Sequence, residues 1–314
     1  MIVMWPLIIL LGMFVFAVGT VVGSFLNVCI YRIPWQKSVI WPGSRCPNCM
    51  HEIAGRDNVP IIGWLALRGE CRTCGLKISP RYPLIEALVG FLFLGAYVTD
   101  VFVAAPPNAI MRNPQVELSM MAYHCVLLSL LVAATFMDYD LMIIPDEITV
   151  TGMIVGVGVG TLCPWIRLEP SAAATHWGGL GVGLLGMAAG AGITQFFRLT
   201  FSTLLRREAM GFGDVTLLAM IGAFLGWQAA IMTFFLGPFF GIVHALWKLL
   251  RYFQKRVTGE KSSSADRELP FGPYLSMAAV TLVLTWPVLW PGWAKGLFES
   301  LRVVFWMLLG HYVD

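Results

Sequence analysis

The sequence predicts an all-α polytopic membrane protein of about eight transmembrane helices, with a small cytoplasmic zinc-ribbon-like domain between the first two. Three observations carry that expectation. Of 314 residues, 58% are hydrophobic and only 12% are charged, against roughly 25% charged in an ordinary soluble domain. The apolar residues fall in stretches near the ~20 residues that cross a bilayer as a helix. Four cysteines fall in two C-x2-C pairs within one basic connecting segment.

The stretches come in order at 7–30, 83–103, 118–137, 148–165, 178–197, 215–226, 229–249 and 275–290. A ninth, at 297–310, reads as a last span or as a helix lying in the interface. The 215–226 piece is short for a span unless it continues through Gly226 and Trp227. The opening apolar run lacks basic residues before Arg32. It also exceeds the ~7–15 residues of a signal-peptide core, so it reads as a retained first span.

Lys and Arg give the orientation. Eight lie in 32–82, three in 198–214 and six in 248–267, whereas the alternate connections hold only Arg112 and Arg167. Positive loops stay cytoplasmic, which places the amino terminus outside and these three loops inside. Trp165, Trp177, Trp227 and Trp290 fall at span ends, as an aromatic belt would. The net charge of +3 and the absence of a basic tract speak against nucleic acid as a partner. The partner implied by composition is the lipid bilayer. The polar "GEKSSSADRE" of the last loop reads as flexible.

The first cytoplasmic loop carries Cys46 and Cys49, then Cys71 and Cys74. Paired thiolates at this spacing sit on tight turns and can complete a tetrahedral S4 site suited to Zn2+. So small a segment holds too little apolar content to fold without such a staple. A redox pair or disulfides are the competing reading, disfavoured by the reducing side on which the loop is placed. Cys29, Cys125 and Cys163 fall in apolar segments and read as core. The five histidines show no metal-ligand spacing.

Carboxylates near the membrane carry the chemistry. The third span ends in "MDYDLMIIPDE", with Asp138, Asp140 and Asp146, and "GFGD" brings Asp214 to the mouth of the sixth. Intramembrane acids are costly and suggest function. Residues two apart on a helix do not face each other, so Asp138 with Asp140 makes a poor pair. Asp138 with Asp214, on different helices at one depth, makes a better one. Two close carboxylates do not ionise together easily. One can act as base on a water while the other, protonated, polarises a carbonyl. Gly211 and Gly213 remove side chains beside Asp214, so that another backbone or an extended substrate can approach. The plainer reading makes Asp214 a helix N-cap, and the same reading is favoured for Asp146 after Pro145. Asn27, within the first span, reads as a hydrogen-bond partner for a neighbouring helix. Glu86 is either paired with a basic loop residue or functional, and "PFGPYL" reads as a turn that starts the eighth span.

Taken together, "GSFLNVCIYRIP", the two C-x-x-C pairs, "RYPLIEALVG", "DYDLMIIPD", "MGFGD" and "PFGPYL" stand in one order over roughly residues 20–280. In these the chain resembles the type IV prepilin peptidases, bifunctional membrane enzymes of the GxGD aspartyl protease class. The resemblance implies cleavage of a basic leader from type IV prepilins and type II secretion pseudopilins at the cytoplasmic face of the bacterial inner membrane. It also implies methylation of the new amino terminus with S-adenosylmethionine. It makes Asp138 and Asp214 the catalytic pair, with Gly211 and Gly213 as motif support, and places structural zinc on the four cysteines. Glu86, Asn27 and Arg32 become candidates for contact with the substrate or for methyl transfer. The implied divisions are a first helix at 1–31, a zinc domain at 32–82, a catalytic membrane domain at 83–293 and a tail or extra helix at 294–314. Thr216 departs from the pattern, standing where many relatives carry lysine. Two alternatives from other classes are an ion-coupled transporter, which requires repeated halves that the sequence does not display, and a membrane thiol oxidoreductase.

Overall fold

A computed structural model describes residues 4–104, 114–168, 175–206, 210–258 and 270–308. The polar run beginning at Gly259, together with Arg112, lies outside the described residues.

Among the described residues the architecture is helical, with two isolated antiparallel bridges and no longer strand. The helix α1 spans Met4–Arg32 and stops where Arg32 precedes a 3-10 turn containing Pro34. A connecting segment holding the short helix α2, Ile62–Ala66, then leads into α3, Arg81–Val98, prolonged by a π-helical turn at Thr99–Val103. Next come α4, Pro114–Leu141, and α5, Asp146–Leu162. Met142, with φ of 55°, and Pro145 make the break between them. Thr175 caps α6, His176–Leu205, by accepting from the Gly178 N–H at 3.0 Å. Then follow α7, Phe212–Leu225, and α8, Trp227–Thr258, parted at Gly226, whose φ of 90° suits glycine. Last are α9, Gly272–Leu289, and α10, Lys295–Leu308.

Six stretches are long and apolar enough to cross a membrane: Pro6–Trp35, Arg81–Val103, Pro114–Leu141, His176–Leu205, Trp227–Arg251 and Gly272–Val304. The expected fourth and sixth spans are the shorter helices α5 and α7, of 17 and 14 residues. The expected ninth does not stand apart among the described residues. A π-helical turn, Trp290–Ala294, joins α10 to α9, and Trp290 stacks on Trp286 at 4.8 Å.

Packed among α4, α5, α6, α8 and α9, α7 is enclosed. Eleven of its 14 residues are buried, from Asp214 to Leu225. Such a helix, apolar all round, belongs inside a bundle. Glycines let the neighbours close on it. A side chain at Gly186 of α6 would overlap the Gly222 carbonyl, and one at Gly156 of α5 would come within 2.7 Å of the Phe224 ring. At ~1.5 Å per residue, α7 is about 21 Å long against ~30 Å of hydrocarbon. Its first turn therefore stays within the protein, and Asp214 is only 7% exposed. The outward faces are apolar by contrast, with Phe14, Phe91, Ile154, Leu185 and Phe239 all more than half exposed.

Candidate active site and metal centre

The last turn of α4 and the first turn of α7 meet at the end of the bundle that carries the cysteine segment. Asp138 and Asp214 are each buried to 7% exposure, and the charge of Asp138 acts on Asp214. The backbone explains how each is held. Gly211 is the N-cap of α7, and Asp214, three residues on, reaches back to the Gly211 N–H. That is half of a capping box. Asp214 is thus not the N-cap itself, but its carboxylate lies where the N-cap's amide acts on it. Asp146 is not a cap either: Pro145 holds that place and Asp146 is the first helical residue, where its charge suits the helix dipole.

On the other side, the Gly272 N–H donates to Asp138 Oδ2 at 3.1 Å. This orphan amide opens α9, so "PFGPYL" does more than start a helix. It supplies a donor to the acid. The sequence pointed at this segment but offered no signal for its partner. A Cβ at Gly272 would sit 2.6 Å from Asp138 Oδ2 and 3.0 Å from Ile144. Ile144 also fills the space beside Gly213, where a Cβ would meet it at 3.1 Å. Gly213 therefore makes room for Ile144 of the chain itself. Among the described residues Gly211 leaves open space, with nothing closer than Asp214 Oδ2 at 3.8 Å. Thr216 turns its hydroxyl back to the Gly213 carbonyl at 3.0 Å.

Asp140 faces away from this pair. Arg81 holds it in a two-pronged ion pair at 2.9 and 2.5 Å, and the same guanidinium lies over the Phe136 ring. The two-residue offset along α4 sends one acid inward and one to the rim, as helix geometry demands.

The three other candidates do not join the two aspartates. Glu86 accepts from the Ile61 N–H at 2.7 Å and pairs with no basic residue among the described ones. Asn27 donates to the Tyr82 carbonyl of α3 at 3.2 Å. Arg32 donates to the carbonyls of Ser38 and Pro42 at 2.9 and 2.7 Å. Each of them fastens the backbone of the 33–82 segment to the ends of α1 and α3.

Within that segment the four cysteine sulfurs lie within 4.8 Å of one another. Two knuckles of like build present them. In the first, the Cys46 N–H bonds to His51 O and the Met50 N–H to Cys46 O, beside the Arg45–Glu52 bridge. In the second, the Cys71 N–H bonds to Leu76 O and the Gly75 N–H to Cys71 O, beside Glu70–Lys77. The Leu76 amide, with the Asn48 side chain, holds the Cys74 thiol down to about 6, which favours its thiolate. Four convergent thiols on paired turns fit tetrahedral zinc. None of the cysteines forms a disulfide. Asp57 and Arg72 cross-brace the segment through two hydrogen bonds of 2.6 and 2.8 Å.

Comparison with known proteins gives the family of the chain. Residues 17–99 match the bacterial peptidase A24 N-terminal domain, and residues 125–246 match the type IV leader peptidase family. The chain is 34% identical to a prepilin leader peptidase/N-methyltransferase of Myxococcus xanthus, over 90% of this chain and 74% of that protein. It is 32% identical to one of Stutzerimonas stutzeri, over 85% and 88%. It is 35% identical to one of Klebsiella pneumoniae, over 72% and 90%. No solved structure matches the chain.

Proposed function

The chain belongs to the type IV leader peptidase family, and on that premise we propose how it cleaves prepilins and N-methylates the new amino terminus. Asp138 and Asp214 form the hydrolytic pair, in a multi-pass protein of the inner membrane whose amino terminus faces out. The catalytic end is cytoplasmic. The observation that carries this reading is that two acids on separate helices are buried at one end of the bundle, near enough for the charge of one to act on the other.

One carboxylate takes a proton from a water, whose oxygen then attacks the scissile carbonyl carbon. The other, protonated, donates a hydrogen bond to the carbonyl oxygen. The proton that was taken passes to the leaving nitrogen as the C–N bond breaks, and the pair returns to its starting state. The Gly272 N–H fixes Asp138 through Oδ2, leaving Oδ1 without a hydrogen bond from the described residues. The space beside Gly211 admits an extended substrate backbone next to Asp214.

The apolar helix of the substrate lies along the bundle in the bilayer while its basic leader stays in the cytoplasm. Type II secretion pseudopilins share that chemistry and are substrates on the same reading. Cys46, Cys49, Cys71 and Cys74 would hold Zn2+ in a structural role, keeping the 32–82 domain folded against α1 and α3. The N-methyltransferase name of the relatives supports S-adenosylmethionine as methyl donor. Thiol oxidoreduction draws no support from cysteines gathered as ligands, nor ion-coupled transport from the family.

The test is processing of a synthetic prepilin by the purified protein, with and without S-adenosylmethionine, read by mass. Asp138→Asn and Asp214→Asn should each abolish cleavage. Full cleavage by either would remove the pair from the mechanism.

A further inference from the structure

Arg167 lies at the far end of the bundle from the two aspartates and is 1% exposed. Its guanidinium meets backbone oxygens of three helices. Nη1 donates to Ala223 O at 2.5 Å and Phe224 O at 3.1 Å, on the last turn of α7. Nη2 donates to Gly156 O of α5 at 3.3 Å and Gly179 O of α6 at 3.1 Å. Glycines make the socket: a Cβ at Gly183 would lie 2.6 Å from Nη2, and one at Gly160 would overlap the guanidinium. From α4, the Tyr123 hydroxyl shares its proton between Gly156 O at 2.7 Å and Phe224 O at 3.3 Å. No carboxylate pairs with Arg167 among the described residues.

A buried cation costs several kcal/mol in lost hydration and is weak evidence of stabilisation. Here its counter-charge is the carbonyl end of α7, where the helix dipole leaves roughly half a negative charge. The planar fork of arginine reaches several carbonyls at once, which a lysine ammonium does not. The next residue after α7 is Gly226, with φ of 90°, so the chain turns sharply there and α8 leads away. From Phe224 to Asp214 is ten residues of unbroken helix, about 15 Å.

We infer that Arg167 is a positioning residue for the peptidase reaction, pinning the outer end of α7 and thereby setting the depth and rotation of Asp214. The inference rests on the proposed role of Asp214. A helix transmits a slide or a turn along its axis, so an unpinned outer end displaces the carboxylate at the other. A misplacement near 1 Å costs about 100-fold in rate.

The experiment uses the full chain in detergent with a synthetic prepilin. Arg167→Lys keeps the charge without the fork, and Arg167→Met keeps the length without the charge. Both should lower kcat for cleavage about 100-fold while KM stays within about threefold, since Arg167 is 1% exposed and offers substrate no contact. Methylation of a pilin supplied already cleaved should stay within about twofold, because Asp214 acts only in hydrolysis. Wild-type kcat in folded Arg167→Lys and Arg167→Met overturns the inference, and so does a parallel loss of methyl transfer, which marks general unfolding. If neither variant accumulates, Tyr123→Phe deletes only the hydroxyl that braces the same turn. It should lower kcat about three- to tenfold at constant KM, and an unchanged kcat overturns the inference. Full cleavage by Asp214→Asn would instead sink the premise, whatever Arg167 does.

Discussion

Gly272 donates its N–H to Asp138 Oδ2 at 3.1 Å across 134 residues of sequence. The start of α9 is thereby made part of the environment of an acid on α4. The bond fixes one carboxylate oxygen, and on the proposed mechanism the other faces the reaction. Gly272→Ala should disturb this directly, because the new methyl would lie 2.6 Å from Oδ2. The expected outcome is a fall of about 100-fold in kcat for prepilin cleavage. Thermal unfolding and zinc content, measured alongside, should change little.

Asp140 provides the contrasting case. It lies two residues from Asp138 and is held by Arg81 at the partly exposed rim. An exposed ion pair contributes ~0–1 kcal/mol, so Asp140→Asn should leave cleavage within about fivefold of wild type. A loss as deep as that of Asp138→Asn would place both acids in the chemistry.

Glu86 fastens the cysteine segment to α3 through the Ile61 N–H. Glu86→Ala removes a charged acceptor from a backbone donor and should destabilise the docking by about 1–2 kcal/mol. Limited proteolysis within residues 33–80 reads that change. Glu86→Gln keeps an acceptor and should be cut more slowly than the alanine variant. Equal cutting of wild type and Glu86→Ala would show that the contact holds nothing.

The paired knuckles predict a metal response. Any one of Cys46→Ser, Cys49→Ser, Cys71→Ser or Cys74→Ser should reduce bound zinc from about one per chain, as counted by elemental analysis. The knuckles also differ at one place: Gly75 has φ of 68°, whereas Met50 holds φ of 56° with a side chain. The left-handed region costs a non-glycine residue about 1–2 kcal/mol. Met50→Gly should therefore raise the chelator concentration needed to strip the metal.

Much of the candidate site was legible in the primary structure because its signals are local. Apolar runs mark helices whatever their neighbours, C-x2-C marks a ligand pair, and an acid beside hydrocarbon stands out by its cost. Even the preference for Asp214 over Asp140 as the mate of Asp138 followed from the pitch of a helix. Legibility ended where a partner is far away along the chain. Glu86 read as paired with a basic loop residue or functional, and its Oε2 accepts from the Ile61 N–H, 25 residues upstream. Gly213 looked open and is filled by Ile144.

By itself, then, the sequence determined the class of the protein and the order of its helices, and it singled out the four cysteines that the fold gathers and the two acids proposed for the chemistry. Tertiary structure decided which groups hold those acids. Arg167 shows the difference most plainly. In the sequence it is a lone cation in a poorly charged connection; in the fold it closes a glycine-lined socket over the outer end of α7. Its partners are backbone carbonyls, which every residue carries alike. Only the packing of three helices chooses among them, and so no pattern of side chains could announce the contact.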